Sequence, residues 1–180
     1  MLCAAAFTSA EEPSTTAAAV ENPFRLAKVG DWVEWKTTTQ VPSGKEGQPP
    51  ASGESHVKET VRTIGPKLLA MQIQILGQAE PVFMETQYSL ERPYRPEWLG
   101  HEGRIEAVKE ATRETRDVNG QKLECERKEL KMTGADGVST LTVWYHPDIP
   151  FGGIARMELH AANGATTIRE ALAFGHAASK

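Results

Sequence analysis

The sequence predicts a mainly β protein. We expect a strongly curved antiparallel sheet, or incomplete barrel, of about nine strands with at most one or two short helices. Hydrophobic residues recur with a period of two along most of the chain, which is typical of strands with one buried face. The connections between these segments are short, so neighbouring strands should pair antiparallel. Segments with helical spacing are scarce.

Four segments of the first half carry this alternation: Asp31–Thr39, Ser55–Ile64, Lys67–Leu76 and Val82–Leu90. Lys67–Leu76 has the cleanest pattern, because its large apolar residues alternate strictly with Ala and Gln. Each segment is therefore expected to present one dry and one wet face.

The second half repeats the pattern in five further segments: Thr112–Val118, Gln121–Met132, Val138–His146, Ile154–Ala161 and Thr166–Phe174. Asn119-Gly120 joins the first two, and this dipeptide supplies the positive φ angles of a type I′ hairpin turn. Asn163-Gly164 joins the last two. Gly152-Gly153 precedes a returning strand and predicts a left-handed residue or a bulge there.

Three segments depart from the strand pattern. Asn22–Ala27 predicts a single turn of helix, and Glu97–Glu110 predicts either a short helix or an irregular crossing. Gln40–Glu54 is rich in Gly, Pro and Ser, which predicts a long loop between the first two strands.

Composition excludes several classes of protein. The 180 residues include 24 acidic and 20 basic side chains, for a net charge of −4, so we expect no nucleic-acid partner. No apolar run reaches the ~18 residues of a transmembrane helix. The sequence does not indicate a protein partner.

The N-terminus indicates export. Met1–Ala10 is small, apolar and uncharged, and it stops abruptly at Glu11, which resembles the end of a secretory signal. We assign residues 1–20 to a signal-peptide remnant and disordered spacer, and residues 21–176 to a single antiparallel β domain in the periplasm or cell envelope. A flexible cytosolic tail is the alternative interpretation. Cys3 leaves a lipoprotein cysteine open.

No catalytic motif is present, and we predict no enzyme activity, no metal site and no cofactor. His146-Pro147-Asp148 comes closest to an acid–base pair, but a turn stabilised by Asp148 is the simpler interpretation. Cys125 alternates with Leu123 between glutamates, which predicts a buried, unreactive thiol.

The aromatic and aliphatic residues suggest a hydrophobic site. Trp32 and Trp35 cannot share a face of one regular strand, so either one lies outside the main core or both faces are partly covered. A curled sheet with an apolar concave face would provide a cradle for a lipid-like ligand. Simple filling of the core is the alternative. The candidate ligand-binding residues are Trp35, Leu69, Met71, Ile73, Ile75, Met84 and Trp98.

Four motifs carry a resemblance that covers roughly residues 22–174. They are Asn22-Pro23-Phe24, the segment VGDWVEW from Val29, the segment NGQKLEC from Asn119, and the segment VWYHPDIPFGGIARME from Val143. This order resembles a group of small exported bacterial β-rich proteins of unknown function, in which GDWVEY, GKxLxC and VWxSxDVPxGGxVKME patterns recur. His146 stands where the group usually has a small hydroxyl residue.

The chain is more distantly similar to envelope lipoprotein-carrier proteins, whose curved half-barrel sheet shelters acyl chains. Neither resemblance implies a catalytic residue. Together with the apolar face, they lead us to expect a non-enzymatic envelope protein that binds a hydrophobic or lipid-like ligand. The alternative is a structural or interaction protein of the envelope without a small-molecule site.

Overall fold

A computed structural model describes residues 22–44, 47–91, 104–134 and 136–177. It contains one antiparallel sheet of ten strands and, within these ranges, a single short 3-10 turn, Pro23–Leu26. The strands are β1 (Trp32–Val41), β2 (Ala51–Ile64), β3 (Leu68–Ile75), β4 (Val82–Ser89), β5 (Arg104–Ala107), β6 (Thr112–Val118), β7 (Gln121–Gly134), β8 (Gly137–Tyr145), β9 (Ile154–His160) and β10 (Thr166–Gly175). The predicted mainly β class is confirmed.

The sheet consists of two meanders that meet at the first and last strands. Its order is β4-β3-β2-β1-β10-β9-β8-β7-β5, and β6 also pairs with β7. β1 to β4 form the first meander and β7 to β10 the second, while β5 and β6 follow one another along the same edge of β7. The pairing of β1 with β10 joins the two halves.

The sheet is strongly bent but does not close into a barrel. Four strand spacings separate β6 from β10, which is about 19 Å in a flat sheet. Cα atoms of these two strands nevertheless approach within 8 Å. The second meander therefore curls back on itself, as the sequence predicts, while β4 and β5 end the sheet on opposite sides.

Three segments differ from their predicted form. Part of the expected helix or irregular crossing over Glu97–Glu110 is strand β5, which pairs with β7 and brings the predicted nine strands to ten. Residues 97–103 lie outside the described residues. The predicted loop Gln40–Glu54 is shorter, because β1 continues to Val41 and β2 begins at Ala51. The outer ends of β1 and β2 pair in mostly polar sequence, which lacks the alternation that reveals a strand. β5 does alternate, but its four residues are too few for the pattern to distinguish a strand from a helix.

Both faces of the sheet are covered in places. The larger buried cluster contains Val33, Trp35, Leu69 and Met71 from the first meander. Leu141, Val143 and Met157 form a second cluster. Successive β8 residues from Leu141 to Trp144 are all buried, so both sides of that strand are packed. The prediction for the two N-terminal tryptophans is confirmed, since Trp35 is in the core and Trp32 lies on the other face beneath Lys58, 3.8 Å from its Nζ.

The Gly30-Asp31-Trp32 motif holds the end of β10 in place. The Asp31 carboxylate is buried and accepts the backbone N–H groups of Lys28 at 2.8 Å and of Ala177 at 3.0 Å. Trp32 lies directly opposite Gly175, where a Cβ atom would come within 2.6 Å of the indole Nε1. This motif therefore has a structural role at the junction between β1 and β10.

The Asn22-Pro23-Phe24 motif anchors the predicted turn of helix, which is confirmed as a 3-10 turn. The Asn22 side chain accepts the backbone N–H of Phe24 at 3.1 Å and donates to the carbonyl of Ser89 at 2.8 Å. The Phe24 ring stacks on Tyr88, with centroids 4.6 Å apart. The turn is thereby held against the end of β4.

The link between β8 and β9 turns through left-handed backbone angles. Phe151, Gly152 and Gly153 have φ values of 62°, 103° and 72°, which confirms the prediction for the two glycines. The backbone N–H of His146 donates to the Gly153 carbonyl at 2.7 Å. A Cβ atom on Gly153 would lie 2.7 Å from the backbone oxygen of His146, so no side chain fits there without moving the backbone.

We predict that Gly153→Val lowers the free energy of unfolding by about 1–3 kcal/mol, because it adds a backbone clash to a left-handed φ. Gly153→Ala and Gly120→Ala separate these two causes. Gly120 has a similar φ of 78°, but open space surrounds its Cβ position. Urea denaturation should rank Gly153→Ala as clearly more destabilised than Gly120→Ala, and equal losses would show that the clash is relieved.

Candidate functional site

The predicted apolar residues of the first meander lie on one face of the sheet. Trp35, Val57, Ile75 and Val82 oppose one another in turn and form a row across β1, β2, β3 and β4. The row spans three strand spacings, about 14 Å. The strand register therefore brings these apolar positions together on one side of the sheet, as expected. We call this side the apolar face.

The neighbouring rows complete the apolar face. Glu59, Ile73 and Met84 form the next row, followed by Val61, Met71 and Thr86. Leu69 lies opposite Tyr88 at the far end. Six of the seven candidate residues thus share one face, and Trp98 lies outside the described residues.

The exposed fraction of the residues differs strongly across the apolar face. Leu69, Met71 and Trp35 are at most 4% exposed, whereas Val82 is 43% and Met84 48% exposed. Ile73 and Ile75 lie between these extremes. The interior end of the apolar face is packed with the protein's own side chains. A ligand can reach the half of this face that lies next to β4. The ligand-binding role of the seven residues stays a prediction.

Three interacting side chains with polar groups, including Trp35 itself, lie at the β1 end of the apolar face. The Trp35 indole Nε1 donates to Oε2 of Glu59 at 2.9 Å, and the Arg169 guanidinium donates to Oε1 of the same carboxylate at 2.7 Å. The guanidinium carbon of Arg169 also lies 4.3 Å from the centre of the Trp35 ring. Three strands, β1, β2 and β10, contribute one residue each to this triad.

A second triad with the same chemistry lies in the other meander. The Trp144 indole donates to Oε2 of Glu114 at 2.9 Å, Arg116 pairs with Oε1 at 2.8 Å, and its guanidinium carbon lies 4.4 Å from the indole centre. Arg127 and Arg156 lie near the same ring, 5.5 and 5.8 Å from its centroid. Among the described side chains, only Arg116 and Arg169 have a buried Nε without a hydrogen-bond partner.

These triads were not predicted from the sequence. Glu59 and Arg169 are distant in the chain, and each stands next to one oppositely charged residue, Lys58 or Glu170, so nothing local indicates that they pair with each other. The only local signal is a tryptophan on the predicted buried side of a strand. It indicates a polar partner, because a buried indole N–H requires an acceptor.

An open cavity of about 560 Å³ lies beside the first residues of β6 and the last residues of β8. It is lined by Ala111, Thr112, Arg113, Glu124, Glu126, Tyr145, His146 and Pro147. Burial, and secondly the charge of Glu126, raises the pKa of Tyr145. The charged side chains in this lining, Arg113, Glu124 and Glu126, do not suit an acyl chain.

The His146 ring organises the turn beside this cavity. Its Nδ1 accepts the backbone N–H of Asp148 at 3.2 Å. The carboxylate Oδ2 of Asp148 is 3.8 Å from that nitrogen. The turn interpretation agrees with this geometry, although the histidine rather than the aspartate side chain makes the stabilising bond.

Cys125 is completely buried on β7, as predicted. Burial raises the pKa of the Cys125 thiol, the charge of Arg116 lowers it, and Glu114 and Glu124 raise it. The thiolate, which is the reactive form, is therefore disfavoured.

No protein-family profile matches the chain, and no curated protein matches it significantly in sequence. In the described ranges, no helix is long and apolar enough to cross a membrane. No group of three or more His, Cys, Asp or Glu side chains in those ranges is arranged to hold a metal ion.

Cys125 should react slowly with a thiol reagent in the folded protein and rapidly in urea, since the reagent needs an exposed thiolate. The measurement uses a Cys3→Ser variant, so that Cys125 is the sole thiol. Equal rates in the two states would show that β7 opens readily at this position.

The two triads should differ in their contribution to stability. Glu59→Gln removes a carboxylate whose side chain is 13% exposed, whereas Glu114→Gln removes one that is 42% exposed. We expect Glu59→Gln to cost about 1–3 kcal/mol of unfolding free energy and Glu114→Gln less, because solvent weakens the exposed interaction. Urea denaturation of both variants tests the order, and the reverse order would contradict it.

Proposed function

We propose that the protein is a non-enzymatic, exported protein of the cell envelope that binds a hydrophobic, lipid-like ligand on the open half of the apolar face. The observation that carries the proposal is the contiguous row Val57, Ile75 and Val82, flanked by Ile73 and Met84, on three paired strands. Monomeric soluble proteins seldom leave such a patch uncovered without a use for it.

The chemistry of the patch favours an acyl chain. The residues exposed on it are aliphatic or thioether side chains, and each CH₂ of a ligand buried there is worth about 0.8 kcal/mol. The signal-like N-terminus and the resemblance to envelope lipoprotein carriers support the same interpretation. Export itself rests on the sequence pattern of residues 1–20.

One observation favours the alternative, a structural or interaction protein of the envelope. Leu69, Met71 and Trp35 are buried by the protein itself, so part of the predicted cradle is ordinary core. A ligand must then be held on an open surface, where a protein partner would also fit.

The ligand-binding proposal predicts that palmitate shifts the tryptophan fluorescence, because Trp35 begins the row that ends at Val82. Met84→Glu should weaken binding at least about tenfold, since a bound chain would bury an unpaired carboxylate. Met84 is 48% exposed, so this variant should fold.

Phe83→Glu is the matched control. Phe83 is 52% exposed on the same strand, but its side chain points to the opposite face. It introduces the same charge and should leave binding unchanged. A flat titration against acyl chains of several lengths would overturn the ligand proposal and leave the interaction protein as the better account.

A further inference from the structure

The cavity beside β6 and β8 contains a row of polar side chains that the apolar face does not use. Arg113 on β6 lies directly opposite Glu126 on β7, and Glu126 lies directly opposite Tyr145 on β8. Residues in such a row point to the same side of the sheet, and all three line the cavity of about 560 Å³. Ligand sites in proteins typically have volumes of about 300–1,000 Å³, so a small molecule fits there.

Arg113 and Glu126 do not form a salt bridge with each other. Residues directly opposite in an antiparallel pair have Cα atoms about 4.5–5.5 Å apart, which is close enough for these long side chains to meet. Glu126 instead pairs with Lys128, whose Nζ lies 3.2 Å from its Oε2. Within the described part of the chain, the Arg113 guanidinium has no hydrogen-bond or ion-pair partner. A positive and a negative group thus line one cavity from adjacent strands without contacting each other.

The surroundings of Glu126 already accept an ammonium group. The Lys128 Nζ that contacts this carboxylate also lies 5.5 Å from the centre of the Tyr145 ring. The lysine and glutamate side chains are 44% and 50% exposed, and an ion pair so open to solvent is weak. A carboxylate has two oxygens with about four lone-pair sites. A ligand's ammonium group can therefore bind Glu126 beside the lysine or in its place.

The Tyr145 hydroxyl is a neutral hydrogen-bond donor in the same row. Burial, and secondly the charge of Glu126, raises the pKa of Tyr145, so the hydroxyl keeps its proton at neutral pH. In the described ranges no side chain or backbone group hydrogen-bonds to it. A phenol and a guanidinium both donate to a carboxylate. The Tyr145 ring and Pro147 also give the cavity an apolar wall.

The charges around the cavity favour a ligand that carries both charges and is neutral overall. Glu124 and Glu126 balance Arg113 and Lys128, so neither a simple anion nor a simple cation has a net electrostatic advantage. An acyl chain would bury these charges without partners. A molecule with a carboxylate and an ammonium group on neighbouring atoms matches Arg113 and Glu126 together. An α-amino acid has this arrangement.

We propose that this cavity binds an α-amino acid with an apolar side chain. The carboxylate of the ligand binds the Arg113 guanidinium, its ammonium group binds Glu126, and its side chain lies against Tyr145 and Pro147. The site goes beyond the proposed function, because it lies on β6, β7 and β8 and shares no residue with the apolar face.

Titration of the full chain with L-phenylalanine, followed by NMR, tests the site. The amide resonances of the cavity residues should shift with a Kd of about 1 mM or lower. Two analogues separate the charges of the ligand, since N-acetyl-L-phenylalanine lacks the ammonium group and L-phenylalaninamide lacks the carboxylate. Each should bind at least about tenfold more weakly, because one charged group of the site then stays without a partner.

Variants of the protein assign the two charges to residues. Arg113→Gln and Glu126→Gln should each weaken phenylalanine binding at least about tenfold. In Arg113→Gln, phenylalanine and its amide should bind equally, because the carboxylate no longer has its partner. In Glu126→Gln, phenylalanine and its N-acetyl derivative should bind equally. A residue that only stabilises the fold would weaken every ligand alike and would leave these differences in place.

Lys122→Gln is the matched control. Asp117 and Lys122 also carry opposite charges directly opposite each other on β6 and β7, but neither residue lines the cavity. This variant should bind phenylalanine as the unaltered chain does. Arg113, Glu126 and Lys122 are all exposed, so the three variants should fold.

No shift of the cavity resonances with any of the common amino acids would overturn the proposal. Either analogue binding as tightly as phenylalanine would also overturn it, as would Lys122→Gln weakening binding as much as Arg113→Gln. Palmitate binding is measured on the apolar face, so failure of the amino-acid site and failure of the lipid site are distinguishable.

Discussion

The pairing of β1 with β10 is the constraint on which the rest of the structure depends. Each meander can form from local hairpins, but a meander alone would leave the buried positions at the β1–β10 junction, such as Trp35 and Ala171, without their neighbouring strand. The first and last strands join them, although residues such as Trp32 and Gly175 are near opposite ends of the described chain. Closing so long a loop is slow and entropically costly, and the Asp31 and Trp32 contacts at this junction help to offset that cost.

The Trp35–Glu59–Arg169 triad shows how the junction is reinforced. It connects β2, β1 and β10 and so crosses from one meander to the other. The unpartnered Nε atom of each triad arginine belongs to a guanidinium that lies against an indole face. The electron-rich face of the ring compensates in part for the missing acceptor. The same solution appears twice because each meander has a tryptophan at a position where its N–H is removed from water.

The apolar face joins the structural and functional properties of the molecule. Its interior end, with Trp35, Leu69 and Met71, belongs to the buried core. Its outer end is exposed to solvent at Val82 and Met84. A bent single-layer sheet produces this gradient, because curvature covers one part of a face and leaves the strands near the edge open. The proposed ligand surface is thus a consequence of a bent sheet that does not close into a barrel.

The sequence by itself determined the fold class, the main strands, the Asn119-Gly120 turn and the burial of Cys125, because period-two alternation and turn residues are local signals. It also grouped six of the candidate residues on one face, since alternation within each strand carries that information. It missed β5, which is too short for its alternation to identify a strand, and the outer ends of β1 and β2, where mostly polar residues pair through their backbone. Only the tertiary structure decided the β1–β10 register, the partners of the two tryptophans and which half of the apolar face stays open. Those outcomes depend on pairings between distant segments and on the bend of the whole sheet, which no local pattern records.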